Sequence, residues 1–158
     1  MPSDLQSEFQ RCFPQLATQL GPEGAQRLLD ACSVAEIPAG RRLFRDRMPV
    51  DSLYFVLEGA MTVYIGEGRD KIVLGQVGPG DWLGEVAILS GEMRASSTVL
   101  TDTPCRALRM RAQDFENMVL HDEDIAYVLL EQLVDMLSRR LRDSMASEQR
   151  LAQATHSA

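Results

Sequence analysis

The sequence predicts a mainly β fold, a jelly roll or β-roll with helices before it and a long helix after it. Three observations predict it. The middle of the chain breaks into short β-rich runs divided by Pro, Gly and Asp, whereas the segments on either side space their apolar residues at helical intervals. With 158 residues, 45% of them apolar, the chain can bury one core without disulfide or metal staples. The expected organisation is therefore a single domain over 1–158, with a helical part at 1–35, a β-roll at 36–112 and C-terminal helices at 113–150.

Each element has its own warrant. Leu5, Phe9, Phe13, Leu16 and Leu20 mark one side of a helical region that Pro14 should break or kink, and "GPEG" at Gly21 to Gly24 ends it. "EGAQRLLDACS" fits a second short helix, with Pro22 near its first turn and Leu28, Leu29 and Cys32 available for burial. "SLYFVLEGAMTVYI" reads as a hairpin turning at "EGA", "GEGRD" as the next turn and "KIVLGQV" as a further strand. "SSTVLT" and "CRALRM" read as two more strands, joined at Asp102 to Pro104. In the last segment Asp122, Glu123 and Asp124 open a helix that carries Arg139, Arg140 and Arg142 later, as its dipole favours. Ile125, Leu129, Leu133, Met136 or Leu137, Leu141 and Met145 give it an apolar stripe. That stripe serves either packing on its own domain or a dimer seam, and "ATHSA" reads as a frayed end.

Composition narrows the function. A formal charge of −7 gives little support to a nucleic-acid groove, and only eight residues follow Arg150, too few for a DNA-reading helix-turn-helix, so no DNA partner is expected. Cys12, Cys32 and Cys105 lie too far apart for a CxxC motif and are odd in number, which predicts reduced thiols. Cys105 and Trp82 read as packing residues. The N-terminus lacks the pattern of a signal peptide, and no run approaches the roughly 20 apolar residues of a spanning helix. A cytoplasmic protein without membrane contact is expected. His121 and His156 both fall outside the strands, so neither a barrel metal site nor a Ser-His or Cys-His pair can be argued. The expectation is no metal, no cofactor, no catalytic residue and no enzyme.

The charged pair in "GDWLGEVAILSGEMRASSTV" stands out from its small and apolar neighbours. Gly84 permits close backbone approach, Glu85 offers an acceptor-only carboxylate, and Arg94 carries the fork suited to a phosphate, with Ala95, Ser96 and Ser97 leaving room for backbone N–H groups. A carboxylate repels phosphate, so its partner would be a sugar hydroxyl. A cyclic nucleotide supplies both groups on one frame.

With "IPAGRRLF" and "DSLYFVLEGAMTVY" in order before "GPGDWLGEVAILSGEMRAS", the chain from about Phe13 to Leu141 resembles the cyclic nucleotide-binding domain family. The resemblance implies a phosphate-binding cassette over 83–97. Leu83, Gly84, Glu85 and Val86 would contact the ligand, Gly84 through its backbone beside the ribose and Glu85 on the 2′-hydroxyl, and Arg94, Ala95 and Ser96 would hold the cyclic phosphate. A C-terminal helix would fold over the base, with Leu129, Leu133 or Met136 as the lid. Three departures from the family pattern matter: "RASSTV" is one residue longer before its valine, Met93 replaces a proline, and Arg47 or Met48 occupies a turn that commonly holds glycine. Either a bulge absorbs the extra residue or Arg94 leaves its register. The function implied is a stand-alone regulatory domain that binds a cyclic mononucleotide and signals to a separate protein effector, with a homodimer through the last helix. Ala95 lacks the hydroxyl of guanine-selective relatives, which favours cyclic AMP. The alternative is a ligand-free dimerising or adaptor module of the same fold.

Overall fold

The computed structural model describes residues 4–156. The chain opens with α1 (Asp4–Cys12) and α2 (Pro14–Asp30). The expected break falls at Pro14, which starts the second helix, because at the first helical position its missing N–H costs nothing. The expected break at "GPEG" is there: Gly21 (φ 73°, ψ 172°) interrupts α2, and helical geometry resumes at Pro22.

Eight strands follow: β1 (Ser33–Ile37), β2 (Arg42–Phe44), β3 (Ser52–Glu58), β4 (Met61–Ile65), β5 (Ile72–Val77), β6 (Trp82–Leu83), β7 (Thr98–Thr101) and β8 (Cys105–Arg111). The short helix α3 (Glu85–Ser90) lies between β6 and β7, and α4 (Ala112–His121) and α5 (Glu123–His156) close the chain. Two antiparallel four-stranded sheets, ordered β1-β8-β3-β6 and β2-β7-β4-β5, make the jelly roll.

One expectation fails here. β3 and β4 do not form a hairpin; β3 pairs with β8 and β6, and β4 with β5 and β7. The reason lies in the texture of β3. Leu53, Phe55 and Leu57 face the helices, while Val56 faces the other sheet, so the strand is apolar on both sides and occupies the middle layer. Gly59 (φ 97°) then carries the chain across to the second sheet, and a Cβ there would sit 2.6 Å from Cys105 Sγ. The turn expected at "GEGRD" does join a true hairpin, β4 with β5.

The main core lies between the first sheet and the helices. Phe9, Phe13, Phe55 and Trp82 stack through it with successive ring centroids 5.5, 5.8 and 4.5 Å apart. Ile125, Leu129 and Leu133 from α5 insert into the same core. Cys105 is buried in β8, as its apolar strand suggests, and the three cysteines are free thiols. Burial, aided by the Asp114 carboxylate, pushes the Cys32 thiol up to about 12.

Candidate functional site

A cavity of about 670 Å³ opens beside β6 and α3, within the size range of small-molecule sites. Leu83, Gly84, Glu85 and Val86 line one side, Ala95, Ser96 and Ser97 another, and β5 contributes Leu74 to Val77. From α5 come Arg140, Asp143 and Ser144. Six of the seven residues expected at the ligand are thus brought together.

Gly84 makes this packing possible. Its φ is 87°, and a Cβ would collide with the backbone carbonyl of Ser52 and lie 3.3 Å from the Phe44 ring. The chain therefore passes against β3 with no room for a side chain, which sets the start of α3 and the position of Glu85.

Glu85 is 4% exposed. A buried carboxylate needs a partner, and Arg140 Nη1 donates to Glu85 Oε1 at 2.7 Å, while Nη2 donates to the Trp82 carbonyl at 3.3 Å. The cassette is thereby tied to α5.

The seventh residue, Arg94, does not line the cavity. Its side chain is exposed, whereas that of Ala95 is buried and faces the cavity. Neighbouring residues in extended backbone point to opposite sides. The segment is fixed in that register by hydrogen bonds from Val50 N to the Met93 carbonyl (2.8 Å), from Ala95 N to the Met48 carbonyl (2.9 Å) and from Arg47 N to the Ala95 carbonyl (2.9 Å). Met93 and Arg47, at two of the positions where the sequence departs from the family pattern, adopt positive φ of 56° and 66°. The only bulge in the β2–β7 ladder lies between Arg42 and Phe44 of β2.

The lid residues also need correction. Leu129 and Leu133 are buried in the main core and Met136 packs against it, so none of the three borders the cavity. The inward face of α5 runs from Leu129 and Leu133 through Met136 to Arg140 and Ser144, in steps of three or four. Following only apolar residues leads instead to Leu141 and Met145, which are exposed. The missed signal was the point at which the inward stripe turns polar.

A two-sheet roll with an internal cleft, bordered on one side by the last helix, is a jelly-roll frame with room for a small molecule. The model of the cyclic nucleotide-binding domain family matches residues 34–122, and the chain belongs to that family. It is 31% identical over 113 residues to a cyclic nucleotide-gated potassium channel of Mesorhizobium japonicum, covering 72% of this chain and 30% of the channel. A CRP-like cAMP-activated global transcriptional regulator of Mycobacterium tuberculosis is 29% identical over 123 residues, 77% of this chain and 52% of the regulator. The chain thus spans about half or less of the length of these relatives. Among solved structures, a cyclic nucleotide-binding domain from Methylobacillus flagellatus superimposes with a TM-score of 0.79 at 18% identity, over 88% of this chain and 81% of that one, a likeness of fold.

Proposed function

We propose that this chain is a cytoplasmic regulatory domain that binds a cyclic mononucleotide, cyclic AMP in preference to cyclic GMP, and signals to a separate effector protein through α5. The observation that carries the reading is the Glu85–Arg140 pair. A ribose hydroxyl that donates to Glu85 must share or displace the Arg140 guanidinium, so ligand entry acts directly on the last helix. Charge-assisted hydrogen bonds contribute about 1.5–3 kcal/mol, and the shift of α5 is bounded by the ligand's differential affinity for the paired and released states. Asp143 and Ser144 add acceptors on the α5 side of the cavity, and Ser96, Ser97 and nearby backbone N–H groups suit the phosphate. Arg94 must turn inward from the rim to meet it.

The melting temperature in millimolar cyclic AMP and cyclic GMP tests this, because a ligand of the native state stabilises by about 2.7 kcal/mol at a hundredfold excess over Kd. Cyclic AMP is expected to raise it more than cyclic GMP. Arg94→Ala should weaken cyclic AMP binding roughly ten- to a hundredfold. Unchanged affinity would remove Arg94 from the site and leave Arg140 as its cation. A rise with neither nucleotide supports the second reading, a ligand-free adaptor, which is favoured by Glu85 already having its cation and by Arg94 lying outside the cavity.

The domain is also inferred to pair with a second copy through α5. Tyr127, Leu130, Val134, Leu141 and Met145 are exposed at spacings of three, four, seven and four, the interval of a helix seam.

A further inference from the structure

The face of the second sheet turned away from the cavity is strongly basic. Met61 and Val99 point into the space between the sheets, so their neighbours Thr62 and Leu100, partners across β4 and β7, point outward. On that outer side Arg41, Arg42, Arg45, Lys71, Tyr64 and Leu100 line a shallow hollow of about 580 Å³. A second hollow of about 350 Å³ shares Arg42, Arg45 and Tyr64 and adds Arg47 and Met48. Five of the chain's 16 cationic residues therefore gather on one face of a protein whose net charge is −7.

These cations have no ion pair among the described residues, in contrast to Arg27, Arg106, Arg109, Arg111 and Arg140. Asp46 and Glu67 are the carboxylates lining the second hollow, and neither pairs with them. The backbone beneath is held firmly: Arg41 N donates to Thr101 Oγ1 at 2.8 Å, and Asp46 N to Thr98 Oγ1 at 3.0 Å. Lys71 Nζ lies 4.2 Å above the centroid of the buried Tyr64 ring, which holds the ammonium at the edge of the hollow. Arg47 adopts a φ of 66°, a conformation glycine would reach without steric cost. An arginine at that position is costly to the fold alone.

We propose that this face docks a short acidic segment of a partner protein, rich in Asp and Glu and carrying an apolar side chain against Leu100. Guanidinium forks carried on a firmly held backbone suit bidentate capture of carboxylates. A long nucleic acid fits less well, since duplex DNA carries a negative charge about every 1.7 Å and would run past the patch along a protein whose net charge is −7. The face is also joined to the cassette, because Arg47 N donates to the Ala95 carbonyl.

The test uses the full chain and a fluorescein-labelled decapeptide of Asp and Glu with one central Leu, followed by anisotropy. Binding is expected, weakening at least about tenfold as salt rises from about 50 to about 300 mM. Arg42→Glu/Arg45→Glu should lose binding at least about tenfold, whereas Arg139→Glu/Arg142→Glu, with the same change of net charge on α5, should retain it. Both double variants should keep the parent melting temperature and its response to cyclic AMP, which separates this outcome from any failure of the cavity to bind nucleotide. No binding, equal loss in both double variants, or displacement of the peptide by an equal charge of duplex DNA overturns the proposal.

Discussion

At Gly84 the backbone takes a φ of 87° against a carbonyl that belongs to a central strand and cannot move aside. Gly84→Ala is accordingly expected to cost about 1–3 kcal/mol or more, lowering the melting temperature by several degrees. Gly75→Ala is the control, since Gly75 also lines the cavity but lacks a positive φ, and its added methyl meets nothing within 4 Å. Equal melting temperatures for the two variants would show that the contact with Ser52 does not constrain the cassette. Gly84 and Glu85 could be found in the sequence because a glycine followed by a lone carboxylate in apolar surroundings has few structural uses. Arg94 was equally visible, but which way it points depends on a register fixed by hydrogen bonds to Met48 and Val50, more than 40 residues earlier in the chain. Arg140 was hidden in a run of arginines. Its contacts with Glu85 and the Trp82 carbonyl, 55 and 58 residues away, distinguish it from Arg139 and Arg142.

Among the elements, α5 carries two faces with different fates. Ile125, Leu129 and Leu133 complete the core, while Tyr127, Val134 and Leu141 are left exposed. Val134→Glu with Leu141→Glu should therefore preserve the fold and convert a dimer to a monomer in sedimentation at high micromolar concentration. A monomeric parent protein in the same experiment would refute the seam. The apolar stripe of α5 predicts the inward face as far as Met136, where packing and periodicity agree, and departs from it beyond, where polar residues take over the inward side. The same limit explains β3 and β4: a glycine between two apolar runs announces a turn, but whether the chain folds back on itself or crosses to another sheet is decided by partners far along the chain. The interruption at Gly21 was legible because Gly-Pro punctuation acts locally.

For the molecule as a whole, composition and the order of textures were enough to indicate one roll between helices, because a single core of this size leaves few other arrangements. The interleaving of its strands was not legible. In the first sheet β1 and β3 alternate with β8 and β6, and in the second β2 borders β7, so every strand that precedes Gly59 is hydrogen-bonded to one that follows it. If the chain were cut at Gly59, neither piece would own a complete sheet. The two halves, mixed as separate polypeptides, should show β-sheet circular dichroism only together, and an ordered half alone would contradict this. Gly59 thus marks the place to divide the protein into a pair of tags, whose reunion should restore the cavity and the outer basic face at once.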